Sequence, residues 1–452
     1  MIAGGQRGIL AASGAAILLP VAVVALTPAA DRGTPAARAA TTAGPGPRTV
    51  PLASGDGPDL AAVPGRRGRP AVSIVQIGDS HTAADLFTGT ARQILQERFG
   101  AGGVGYLAAG RPHPGVRSTG LAPSASTGWT YDGIQRSAQP DAFGLSGYTA
   151  RTAREGETLS FGRETPVPYG SIEIEARTGP GAGSVAVEID GVPVLSASLA
   201  ADDAAPRILE VRPPSGHAAF RQMTIRTLEA KPVAISAVGI FRRGSGLTYS
   251  AVGVPGATVD LLGRYPERTL ADGLRRLAPD IVVLAFGTNE GFDANLDPAA
   301  YEARYTAAIR AIRRAVPKAR LVMIGPPQAE RAAPACRPAE GRACPAPGAA
   351  AEPRAGSGRP DACPGRPPQL DGVRAVQRRL AEAERIPFFD WWAIMPAGCG
   401  ASRWADADPP LMAKDRVHFT RAGYRVGGQA FARFLEPEVR ALLRGDDAVS
   451  HH

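Results

Sequence analysis

Long apolar runs are almost absent from this chain of 452 residues. Only the N-terminal stretch approaches membrane-spanning length, which excludes a polytopic membrane protein. Dense Lys/Arg runs are missing, and so is any platform of interleaved aromatics. The net charge of +9 therefore makes no case for a nucleic-acid partner, although it suits an anionic envelope surface. Cysteine is scarce: Cys336, Cys344, Cys363 and Cys399 form no C-x-x-C pair and enclose no histidine, so no familiar zinc pattern arises. Their even number fits two disulfides, with three pairings open. No G-x-S-x-G occurs, which removes the nucleophile elbow of the α/β-hydrolases. No internal repeat is present.

Glycine and proline are in excess, 54 and 42 residues, about a fifth of the chain against roughly 12% in average proteins. With 44% hydrophobic residues the chain is not globally disordered; its length suggests two globular units plus tails. Behind Arg7 runs GILAASGAAILLPVAVVAL, so residues 1–30 read as a signal peptide or an uncleaved N-terminal membrane anchor. Either reading exports the bulk of the chain to a periplasmic or extracytoplasmic location. Residues 31–70 are Pro/Ala/Gly-rich, poor in large apolar side chains, and read as a disordered linker. A second low-complexity stretch, 329–368, carries three of the four cysteines and reads as a surface insertion. Residues 446–452 form a tail.

Val72-Ser73-Ile74-Val75-Gln76-Ile77 is a short apolar run ending at Gly78, and a helical pattern follows through Phe99. The alternation resumes with a helix-like stretch near 257–277, a strand at 280–286, a helix at 298–315, and a strand at 320–325. A helix at 370–385, a strand at 387–390 and a last helix from about 421 complete it. Apolar strands alternating with amphipathic helices imply a parallel sheet covered on both faces. Between about 120 and 245 the texture changes to period-two alternation. Asp190-Gly191 marks a hairpin, and strands are expected at 207–211, 220–228 and 233–241. This segment reads as an inserted β-sandwich. The domain reading is 71–118 and 247–445 for the α/β unit and 119–246 for the insert.

Gly78-Asp79-Ser80-His81 ends the first strand, where reactive groups of open α/β sheets gather. Ser80 is either a nucleophile or a plain helix cap. A serine nucleophile needs a base, and the chain offers six histidines. His451 and His452 sit on the tail, His217 in a turn of the insert, and His113 in a loop. His81 is Ser80's neighbour, and adjacent side chains on a helix diverge. His418 has Asp415 three residues earlier, able to hold its imidazole in one tautomer. Gly287-Thr288-Asn289-Glu290 follows the most apolar strand and brings an amide to its end. Gly253-Val254-Pro255-Gly256-Ala257-Thr258 offers an unhindered backbone N–H at Gly256. Both segments also read as ordinary turns.

These four blocks, in this order, resemble the SGNH/GDSL hydrolase family. The resemblance covers roughly 71–118 and 247–445. It implies a flavodoxin-like three-layer α/β/α fold with a parallel sheet, here interrupted by an all-β sandwich module. It also implies Ser80 as nucleophile, His418 as base and Asp415 as its orienter. The Ser80 N–H, the Gly256 N–H and the Asn289 side chain would form the oxyanion hole, with Gly78 and Asp79 in support. The chemistry needs no metal and no cofactor. The export signal, the G-D-S-H form and the β insert narrow the resemblance to peptidoglycan O-acetylesterases, whose inserted module is similar to a carbohydrate-binding domain.

The cysteine-rich stretch at 329–368 departs from that pattern, and the insert lacks a run of aromatics for sugar stacking. Trp129, Tyr131, Tyr148 and Tyr169 are its candidates, each equally suited to a core, and Trp391-Trp392 read as core packing. The expected function is an exported serine esterase removing small acyl groups, O-acetyl above all, from a cell-envelope glycan. The same triad would serve a sugar O-acyltransferase, and a non-catalytic glycan-binding protein is the alternative of another class. The expected partners are the glycan and, through the N-terminal segment, a membrane.

Overall fold

The computed structural model describes residues 71–138, 143–213, 218–242, 244, 246–331 and 365–445. The expected signal or anchor, the linker, most of the 329–368 insertion with Cys336, Cys344 and Cys363, His217, and the tail lie outside the described residues. Cys399 is disulfide-bonded. Among the described residues no helix is long and apolar enough to cross a membrane.

The chain opens with β1 (Val72–Gly78), α1 (Ser80–Ala83) and α2 (Phe87–Phe99). It then leaves through β2 (Gly105–Ala108), β3 (Ala122–Ala125), β4 (Thr130–Gly133), β5 (Tyr148–Thr152), β6 (Thr158–Tyr169) and β7 (Ser171–Arg177). β8 (Ser184–Ile189), β9 (Val192–Ser198), β10 (Pro206–Val211), β11 (Ala218–Thr227) and β12 (Val233–Phe241) follow. It returns with β13 (Leu247–Gly253), α3 (Leu261–Arg264), α4 (Glu267–Leu277), β14 (Ile281–Ala285), α5 (Thr288–Phe292), α6 (Pro298–Ala315) and β15 (Arg320–Ile324). α7 (Leu370–Ala383), β16 (Phe388–Phe389), α8 (Gly400–Ala405) and α9 (Arg421–Arg444) end it.

One sheet is parallel throughout, in the order β13-β1-β14-β15-β16. Counting its strands along the chain gives 2-1-3-4-5, the flavodoxin-like order, whose switch point falls where β1 meets β14. β1 is buried along its whole length, as a strand covered on both faces must be. α2 and α9 cover one face through Phe87, Leu95, Phe431 and Leu435. α4, α6 and α7 cover the other through Leu274, Ile309 and Val376. Local chemistry sets the helix ends: the Asp297 side chain caps α6 by accepting from Ala299 N–H, with Pro298 in its first turn.

The remaining strands form two antiparallel sheets, β10-β7-β12-β5-β4 with β2 also on β12, and β3-β6-β11-β8-β9. Ile172, Ile174 and Ile235 of the first share a core with Phe161, Val187 and Phe220 of the second, which makes a sandwich. Asp190 and Gly191 both take positive φ, 49° and 81°, as a two-residue hairpin turn between β8 and β9 requires. Trp129, Tyr148 and Tyr169 are buried, and the half-buried Tyr131 accepts from Arg111 N–H, so these aromatics serve packing. The module is clamped onto the α/β unit by Arg276 of α4, which donates to Glu173 and Glu175 of β7 at 2.8 Å each.

Three sequence expectations need correction. The antiparallel sheet begins at Gly105, not 119, because Gly105–Ala108 pairs with β12; a four-residue strand behind a glycine-rich turn carries no readable alternation. The helix-like stretch 257–277 is two helices, α3 and α4, parted at Pro266. The strand at 387–390 is only Phe388–Phe389.

Candidate active site

β13, β1 and β14 end in register, with Gly78 opposite both Gly253 and Ala285. Their carboxyl ends therefore deliver the first three sequence blocks to one place. Close packing there depends on two glycines. A Cβ on Gly78 would lie 2.4 Å from the Ala285 carbonyl oxygen, and one on Gly253 would lie 2.0 Å from Ala83 N. Neither position has room for a side chain, so α1 sits directly on the strand ends.

Ser80 opens α1, and its hydroxyl meets His418 Nε2 at 2.9 Å. His418 Nδ1 lies 2.7 Å from Asp415 Oδ2. A carboxylate only accepts, so Nδ1 carries the proton, Nε2 is the acceptor, and the Ser80 hydroxyl donates. Asp415 is itself fixed: its Oδ1 accepts from the backbone N–H of Val417 at 3.0 Å and of His418 at 2.9 Å. Partial burial pushes the Asp415 carboxyl up, but the bonds from His418 and Val417 outweigh it and hold the group below its ordinary value. The loop is anchored where Thr420 accepts from Gly423 N–H to cap α9 and donates to the Pro410 carbonyl at 2.7 Å.

The Ser80 and Gly256 N–H groups have no backbone acceptor among the described residues. Gly256 has φ +78° and open space where a Cβ would be. The Asn289 side-chain N–H₂ donates to the Ala257 carbonyl at 2.8 Å, so the second and third blocks are hydrogen-bonded together. One amide hydrogen is spent on that bond and the other remains.

Beneath these groups lie two buried carboxyls. Asp79 accepts from His81 N–H at 2.9 Å and bonds the Thr288 side chain; burial raises it to about 6 against the pull of those bonds. Glu290 accepts from Val259 N–H at 2.8 Å and from Gly287 N–H at 3.0 Å. Burial pushes it up to about 7, and the Asp79 charge adds to the rise. Glu290 thus staples the Gly256 and Asn289 loops, a role that sequence reasoning missed. The signal available was a glutamate three residues into a helix start, half of a capping box.

Of the other histidines, His81 is buried beside His418 and turns Nδ1 to Tyr424 Oη at 3.1 Å. His113 stands exposed in its loop and accepts from Gly115 N–H at 2.9 Å. Trp391 is buried, whereas Trp392 is partly open, with the Arg374 guanidinium 4.6 Å above its ring. No cluster of His, Cys, Asp and Glu among the described residues could hold a metal ion.

Residues 237–426 match the model of the GDSL-like lipase/acylhydrolase family. A solved peptidoglycan O-acetylesterase superposes with a TM-score of 0.64 at 26% identity, over 82% of this chain and 92% of that one. A GDSL-like lipase from Bacteroides thetaiotaomicron matches with a TM-score of 0.29 at 18% identity, over 42% of this chain and 76% of its own. A family two carbohydrate esterase from Cellvibrio japonicus matches at 0.26 and 13% identity, over 75% of this chain and 98% of its own. No curated protein sequence matches. The family match, the 2-1-3-4-5 sheet order and the first of these likenesses agree that the chain is an SGNH/GDSL-type esterase resembling peptidoglycan O-acetylesterases.

Proposed function

We propose that the protein is an exported serine esterase that removes O-acetyl groups from a cell-envelope glycan, with peptidoglycan as the substrate. The observation that carries the mechanism is the relay of Ser80, His418 and Asp415 at 2.9 and 2.7 Å. The likeness to a peptidoglycan O-acetylesterase over most of both chains supports the substrate. Export rests on the apolar N-terminal run and suits an oxidised Cys399.

In this reading Ser80 Oγ attacks the acetyl carbonyl carbon while its proton passes to His418 Nε2. The oxyanion is held by the Ser80 N–H, the Gly256 N–H and the second amide hydrogen of Asn289. Collapse breaks the ester C–O bond, and His418 returns the proton to the departing sugar hydroxyl. Water then attacks the acetyl-serine, His418 takes a proton from it, and acetate leaves as Ser80 is reprotonated. Asp415 keeps Nδ1 protonated throughout and stabilises the imidazolium.

Acetate release from O-acetylated peptidoglycan by the full chain tests the proposal. We expect release that Ser80→Ala abolishes. Equal release by the variant would sink the mechanism. Acetate appearing only on an added sugar acceptor would reassign the protein to acyl transfer.

A further inference from the structure

α2 forms the floor of a surface groove of about 550 Å³ that runs between the α/β unit and the inserted module. Thr90 and Gln93 lie on the floor, Arg421 and Arg425 of α9 on one wall, and Arg163 with Pro166 and Pro168 of β6 on the other. Its lining includes Leu86, six residues after Ser80, and Arg421, three residues after His418. The groove is thus lined by the helices that follow Ser80 and His418 in the chain, α2 and α9, and by the module.

Its lining charge is net positive. Arg163, Arg421 and Arg425 are exposed, and no carboxylate pairs with any of them among the described residues. On the same module Arg151, Arg212 and Arg226 each hold a carboxylate, Asp132, Glu210 and Glu188 respectively. Arg92 also lines the groove, but Asp85 neutralises it at 2.6 Å. One carboxylate, Glu97, shares the groove; it accepts from the Gln93 side chain at 2.8 Å and keeps its charge, against three unpaired guanidiniums. Three guanidiniums, from α9 and β6, with no side-chain hydrogen-bond or ion-pair partner among the described residues, suit carboxylates, which they bind in pairs of parallel hydrogen bonds. The floor donors are engaged, Thr90 Oγ1 with the Leu86 carbonyl and the Gln93 amide with Glu97, each at 2.8 Å, which leaves the Thr90 hydroxyl oxygen and the Gln93 carbonyl as acceptors for sugar hydroxyls.

We propose that this groove is an extended subsite for a carboxylate-bearing glycan strand, which Arg163, Arg421 and Arg425 clasp while an acetyl group of the same strand lies at Ser80. The proposal rests on the esterase reading above and deepens it. The strand's acidic substituents, not aromatic stacking, give the enzyme its grip, which accounts for an insert whose aromatics are spent on its own core.

The test uses soluble O-acetylated peptidoglycan fragments with free peptide carboxylates, and the same fragments after amidation of those carboxylates. Acetate release by the full chain is followed at low and high salt. We expect kcat/KM to be at least about tenfold higher on the acidic fragments at low salt, the scale of one charge-assisted bond, with the gap closing at high salt. Arg163→Glu with Arg425→Glu should close the same gap through KM, and its loss on acidic fragments should exceed its loss on p-nitrophenyl acetate at least about tenfold. Arg163→Gln alone, at the module edge, should give a partial closure if the double variant does not fold. Acetate release at equal kcat/KM from both fragments overturns the groove assignment and leaves the esterase standing. No release from either fragment, with p-nitrophenyl acetate still cleaved, overturns the substrate reading and the groove with it.

Discussion

The imidazole rings of His81 and His418 lie 5.4 Å apart, and only His418 reaches Ser80. His81 is buried, its Nε2 has no hydrogen-bond partner, and burial with the neighbouring His418 charge lowers it to about 3. It is therefore neutral in the folded protein, while in the unfolded chain it takes a proton below about 6.5. Its effect on stability is neutral above that value and becomes a penalty as pH falls toward 3. Asp79 and Glu290 act in the opposite sense: raised to about 6 and about 7, they favour the folded state on acidification. Their contribution is common to wild type and variant, so the difference isolates the histidine. We expect the unfolding free energy of His81→Gln, relative to wild type, to rise by about 1.4 kcal/mol per pH unit below 6.5. Urea unfolding of both proteins at three pH values measures this, and a pH-independent difference would refute it.

Asp415→Asn should leave the loop folded and impair the chemistry. The asparagine oxygen can still accept from Val417 and His418 N–H, but its amide can present a hydrogen to Nδ1 and favour the tautomer with the proton on Nε2. That nitrogen can no longer accept from Ser80. We expect kcat on p-nitrophenyl acetate to fall by about 10²–10⁴-fold with KM little changed. A loss under about tenfold would mean that His418 keeps its tautomer without the carboxylate.

Much of this arrangement could be read from local pattern. β1 ends at Gly78 because an apolar run meets a glycine, and the β8–β9 hairpin follows from Asp190-Gly191. The pairing of Ser80, His418 and Asp415 followed from short blocks whose order along the chain carries the signal. What stayed hidden depends on partners far away in sequence. Glu290 acts through Val259 N–H, and only the register of Gly78 with Gly253 and Ala285 puts the two loops side by side. β2 is four residues long and is stabilised by β12, from more than a hundred residues away, so no local periodicity could reveal it.

Glu290 and Asn289 should separate stability from chemistry. Glu290→Ala leaves the Val259 and Gly287 N–H groups buried without a partner, at about 1–3 kcal/mol each. We expect a melting temperature several degrees lower, and a fall in kcat as the Gly256 and Asn289 loops loosen. Asn289→Ala removes a partly buried amide instead. It should cost about 10²–10³ in kcat and little in melting temperature. Equal stability losses with intact kcat in both variants would remove Asn289 from the oxyanion site.

The ion pair of Asp85 and Arg92 should matter more than any surface pair. Its atoms lie 2.6 Å apart with both side chains buried. Asp85, at φ 49°, also accepts from Thr88 Oγ1 at 2.7 Å and Thr119 N–H at 2.7 Å, while Arg92 donates to the Tyr249 carbonyl at 3.1 Å. The pair therefore ties the α1–α2 turn, α2, the segment between β2 and β3, and β13. Arg92→Met fills the volume but leaves a buried carboxylate without its counter-charge, and we expect about 3–5 kcal/mol of lost stability. Arg92→Lys keeps the charge yet cannot span Asp85 and the Tyr249 carbonyl with one ammonium, so it should recover only part of that loss. Urea denaturation of the two variants decides the matter: a lysine as good as arginine would show that charge alone, without the fork, holds this junction together.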